Sequence, residues 1–75
     1  MELEVIKLIM AGLTAAVGVT GSAFAEGKIG SKAMEGIGRN PACSNDIFPR
    51  MIVAMALAET PAIFSFVVAL IIVFL

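Results

Sequence analysis

Glu59 is the only ionisable side chain between Met51 and Leu75, the most apolar run of the chain. A carboxylate in hydrocarbon is costly, and ionisable groups kept at such depth mark ion pathways or proton relays. Thr60 puts a hydroxyl beside it. In a helix that hydroxyl bonds back to the Ala56 carbonyl or turns toward a bound ion. Pro61 has no N–H, so the Leu57 carbonyl loses its usual i+4 donor and becomes an available acceptor or ligand. Ala54, Ala56, Ala58 and Ala62 leave the vicinity uncrowded. Carboxylate, hydroxyl and carbonyl oxygens together suit a hard cation or a shared proton. The bland alternative is a buried structural carboxyl bonded to a neighbouring helix.

Glu26 is the second candidate. The midpoint of Glu26 and Glu59 falls between Ala42 and Cys43. If the chain folds back there, the two carboxyls lie at similar depth. At about 1.5 Å per helical residue, Glu59 lies roughly 14 Å beyond Arg50, near the middle of a bilayer. Glu26 reads as a second ion ligand, or as a protonated bystander or hydrogen-bonding partner.

The elements that must hold these carboxyls are two apolar stretches around a polar middle. The first runs from Val5 to Ala25, interrupted by Lys7, and the second from Met51 to Leu75. About 20 apolar residues span a bilayer core as a helix, and backbone groups in lipid must bond internally. Between them, "RNPACSNDIFPR" from Arg39 to Arg50 carries two Pro, two Asn and Asp46, which reads as a turn. The predicted fold is all-α, one hairpin over the whole chain. Helix 1 covers about residues 3 to 39, the turn about 40 to 46 and helix 2 about 47 to 75.

Composition agrees. The chain has 75 residues, 60% hydrophobic and only 15% charged, with a mean hydropathy of +1.05. Soluble domains run nearer half apolar and a quarter charged. There is no His, Trp or Tyr, which excludes His-based acid/base pairs and leaves no Trp or Tyr platform for stacked bases. A net charge of −1 gives no nucleic-acid footprint. The single Cys, Cys43, excludes an internal disulfide and a multi-Cys metal site; it reads as a reduced turn residue.

Lys28, Lys32, Arg39 and Arg50 cluster around the turn, which the positive-inside rule places in the cytoplasm. Lys28 and Lys32 have stems long enough to snorkel to the interface. "AFAE", Ala23 to Glu26, resembles a signal cleavage site, but a secretory signal needs a basic start and this chain opens with Glu2 and Glu4. The membrane-helix reading is preferred.

Small residues recur at Gly12, Ala15, Gly18 and Gly21, then alternate through Gly21, Ala23, Ala25 and Gly27. In membranes such residues allow close backbone approach. A lone hairpin needs one small face; here several faces are small, which predicts neighbours on more than one side and hence an oligomer.

These features together resemble the c subunit of F-type ATP synthases, the proteolipid of the membrane rotor ring. The likeness rests on the alternating small residues, on "RNP" at Arg39, Asn40 and Pro41, and on "MALAE" from Met55 to Glu59. Glu59 follows Arg39 by the family's usual interval, and the likeness covers nearly the whole chain. It implies a homo-oligomeric ring, with first helices inside and second helices outside. It implies that Glu59 carries the transported ion, and that Arg39, Asn40 and Pro41 meet the gamma and epsilon subunits of the central stalk. It implies a stator a subunit as partner and membrane lipid around the ring. The membrane would be a bacterial inner membrane or an organellar energy-transducing one. No cofactor is implied; H+ or Na+ is cargo.

Some positions depart from the family pattern. Ala23 and Ala25 replace alternate glycines. Glu26 falls where sodium-type members carry Gln or Glu, and Thr60 where they carry Ser or Thr. Phe64 falls where many of them carry Tyr, and Pro61 comes unusually early. The resemblance therefore leaves two ions open: a proton on Glu59, or Na+ held by Glu59, Glu26 and Thr60 with the Leu57 carbonyl. Two other classes also stay open, a structural membrane hairpin such as a coat or pore protein, and a small regulatory subunit of an unrelated transporter. The usual four-helix form of the V-type proteolipid argues against that near relative. ATP chemistry is not expected, since no phosphate-binding Gly-rich loop is present.

Overall fold

Two long apolar segments with every backbone group needing an internal partner give two long helices. The computed structural model describes residues 1 to 75 and measures 59 × 15 × 8 Å. Helix α1 spans Glu2–Arg39 and helix α2 spans Ser44–Phe74. At about 1.5 Å per residue both exceed the roughly 30 Å hydrocarbon core. No strand is present.

The reversal is short because its residues each end or begin something. α1 stops at Arg39, and Asn40 leaves the helical region at φ −144°, ψ 86°. Its N–H still bonds the Gly36 carbonyl at 3.1 Å. Pro41 then opens a single 3-10 turn, Pro41–Cys43, at a position where a missing N–H costs nothing. The Cys43 N–H donates to the Asn40 carbonyl at 2.9 Å, and Asn40 Nδ2 donates to Cys43 Sγ at 3.1 Å. α2 begins at Ser44, so Ser44, Asn45 and Asp46 form its first turn instead of extending the loop. The Asp46 carboxylate is favourable there, at the positive end of the helix dipole. Just before the reversal, Glu35 lies between Arg39 at 2.7 Å and Lys32 at 3.7 Å.

The helices meet along a narrow seam of small side chains. Only Ala11, Ser22, Ala62 and Ala69 are buried. They recur at helical spacing, and their size lets the backbones approach closely. The glycines divide into two sets. A β-carbon on Gly18, Gly30 or Gly36 would meet Ser65, Met55 or Ile47 of α2 respectively, whereas Gly12, Gly21, Gly27 and Gly38 face open space. The large apolar side chains nearly all point outward, Leu57 and Phe64 among them. Such a surface belongs against lipid and other protein, not water.

Candidate functional site

α1 and α2 run antiparallel from the turn, so residues equally far from it come level. Glu26 and Glu59 do so: their carboxyl groups interact side chain to side chain across the hairpin. Both residues are half-buried. Glu59 sits on a groove whose other lining residues, Val19, Ala62, Ile63 and Phe66, are apolar.

Thr60 and Leu57 are not brought to this groove. Successive helical residues are turned by about 100°, so Thr60 points away from the seam and is exposed. Its hydroxyl does not bond back to the Ala56 carbonyl; the one Thr that makes such a bond is Thr14, to Met10 at 2.8 Å. Leu57 lies on the opposite flank, in a second groove with Pro49, Arg50, Val53 and Ala54. One hairpin thus presents the two carboxyls on one flank and the Leu57 position on the other. A site containing all four residues takes two copies of the chain. Arg39, Asn40 and Pro41 are far from these carboxyls, exposed together at the hairpin's closed end.

Two residues that sequence reasoning passed over help build the site. Ser22, only 3% exposed, accepts a hydrogen bond from the Ala62 N–H at 3.1 Å. Ser65 packs directly on Gly18. No sequence signal pairs Ser22 with a backbone amide of the other helix.

A helical hairpin with membrane-length apolar helices, a seam too thin to stand alone and paired carboxyls midway along it defines a small integral membrane proteolipid. The family model for the ATP synthase c subunit matches residues 9–72. The chain is 42% identical over 74 residues to the ATP synthase c subunit of Dehalococcoides mccartyi, covering 99% of this chain and 97% of that one. It is 41% identical over 68 residues to that of Petrotoga mobilis, covering 91% and 71%, and 36% identical over 74 residues to that of Geobacter sulfurreducens, covering 99% and 81%. The chain belongs to the ATP synthase c-subunit family. It is an integral membrane hairpin of the ring-forming kind, a non-catalytic rotor component of the synthase.

Proposed function

We propose that this subunit carries a monovalent cation through the membrane on Glu59, the ion being a proton, and that its passage turns the ring. The observation that supports this reading is the interacting Glu26–Glu59 pair in an otherwise apolar setting. Where the ring faces lipid, Glu59 is neutral, because a bare charge there costs at least about 2–3 kcal/mol. Where it meets an aqueous half-channel in the stator a subunit, it ionises and exchanges its ion. A stator arginine prevents back-leak. Each elementary charge crossing 100 mV releases about 2.3 kcal/mol, so sequential loading and unloading biases rotation one way. Two adjacent carboxyls share a proton readily, and their titration then belongs to the pair.

Sodium is the second reading, favoured by the Thr60 hydroxyl left free of the Ala56 carbonyl. In that case Glu59 ligates Na+ as an anion with Glu26 protonated. The Thr60 hydroxyl and the Leu57 carbonyl come from the next copy. At the closed end, Arg39, Asn40 and Pro41 grip the gamma and epsilon subunits of the stalk, with the turn on the cytoplasmic side or its equivalent. The basic residues around the turn support that orientation.

The test is Glu59→Gln in rings reconstituted with the rest of the synthase. Rings of normal mass that translocate neither H+ nor Na+ are expected. Wild-type transport by the variant would remove Glu59 from the role.

A further inference from the structure

We propose that Ser22 is a positioning residue for the carboxyl pair, acting through the Ala62 amide without touching the ion. This inference rests on the reading that Glu59 carries the ion. Ser22 Oγ to Ala62 N, at 3.1 Å, is a buried hydrogen bond that joins α1 to α2 along their length. Both partners are buried, Ser22 at 3% and Ala62 at 6% exposure.

Its place along the hairpin gives it a task. Ser22 precedes Glu26 by four residues and Ala62 follows Glu59 by three, so each end lies one helical turn from a carboxyl and on the same side of its helix. The rest of the seam is mostly small apolar side chains and glycine. Such contacts bring helices close but resist sliding and rotation weakly. A directional bond with a narrow distance range fixes both. A slip of one helical turn, about 5.4 Å, would take Glu26 out of reach of Glu59.

Pro61 lies beside this contact. Its ring presses on the carbonyl a turn earlier and it has no N–H of its own. The helix is therefore weakest at the residue before Ala62, between that amide and the carboxyl of Glu59. Ser22 ties this weak point to the neighbouring helix, and that tie is the register pin. A hydroxyl is suited to this because it accepts with its oxygen and keeps its own hydrogen to donate.

The test separates positioning from packing. In assembled rings carrying Cys43→Ser, Glu26→Cys and Glu59→Cys, oxidation with copper phenanthroline closes a disulfide within each hairpin at a rate that reports how the two side chains align. Adding Ser22→Ala slows closure about fivefold, the population change expected from loss of one buried hydrogen bond. Ser22→Thr, which keeps the accepting oxygen, closes at nearly the Ser22 rate, whereas Pro61→Ala added to Ser22→Ala leaves closure slow, because the Ala58 carbonyl then serves the Ala62 amide but no bond to α1 returns. With native carboxyls, Ser22→Ala lowers translocation by rings of unchanged mass, and Ser22→Thr retains it. Packing volume alone would give the opposite order, with the added methyl of Ser22→Thr more harmful than the lost oxygen of Ser22→Ala. If Ser22→Ala yields no rings, rings that close at the native rate in Ser22→Thr are the expected result. Unchanged closure in Ser22→Ala, or slow closure in Ser22→Thr, overturns the proposal. Disulfide closure requires no transport, so its failure leaves the role of Glu59 standing. Equally, a Glu59→Gln ring that still transports leaves the Ser22 pin standing.

Discussion

Gly18 and Ser65 share one contact so close that neither position has room for more. A β-carbon on Gly18 would overlap both Cβ and Oγ of Ser65. Rotating the hydroxyl away does not clear the Cβ, so the backbones must part. Gly18→Ala should therefore destabilise the hairpin by about 1–3 kcal/mol, seen as a lower melting temperature of the ring in detergent. Ser65→Gly should restore much of the loss. Gly30→Ala is the control: its β-carbon would lie 2.8 Å from Met55 Cε, the end of a flexible side chain that swings aside. A Gly30→Ala defect as large as that of Gly18→Ala would contradict this packing.

The open glycines predict the opposite pattern. Gly21 and Gly27 have no atom within 4 Å of the β-carbon position, so bulk there disturbs nothing in one hairpin. In a ring these faces meet neighbouring copies. Gly21→Val and Gly27→Val should keep the helical circular dichroism of the wild type and lose ring formation by native mass spectrometry. Rings of normal mass would mean that these faces lie against lipid.

The identity of the ion turns on Glu26. A carbodiimide attacks only a protonated carboxyl, so labelling of Glu59 reports its occupancy by a proton. Under the proton reading, sodium at fixed pH leaves the labelling rate unchanged across millimolar concentrations. Protection by sodium, weakened but not abolished in Glu26→Gln, would establish the sodium reading instead, because an amide oxygen still ligates.

Coupling to the stalk is testable at the closed end. Arg39 is held by Glu35 at 2.7 Å, and Asn40 both closes α1 and bonds the Cys43 thiol. Arg39→Ala and Asn40→Ala should leave rings intact and uncouple ATP hydrolysis from ion transport. Glu35→Gln should have little effect, since an exposed ion pair contributes about 0–1 kcal/mol. Full coupling in the Arg39 and Asn40 variants would reduce this segment to a plain turn.

Much of this architecture was legible because it depends on properties that single residues carry. Apolar run length gives the two helices, and Asn40–Pro41 gives the reversal. The symmetry of Glu26 and Glu59 about the turn brings two carboxyls level, and their side chains interact. What escaped depends on rotation about the helix axis. Sequence adjacency makes Thr60 and Leu57 look like companions of Glu59, yet a helix turns its neighbours by about 100° and sends them to other faces. Which glycines pack inward is equally a matter of phase, and several small faces compete for the role. Ser22 escaped because its partner is a backbone amide forty residues away.

The division of the hairpin into two unlike flanks has a genetic consequence. Under the sodium reading, with Glu59 on one flank and the Leu57 position on the other, a change at Thr60 would injure the site completed by the adjacent copy rather than a site of its own. Allele behaviour would then follow neighbour relations around the circle. Co-expressing Thr60→Ala and Glu26→Gln chains would produce rings in which some sites carry both lesions, some carry one and some carry none, according to the order of the copies. Fused tandem chains with the two changes placed in one half or split between halves would differ in activity despite identical composition.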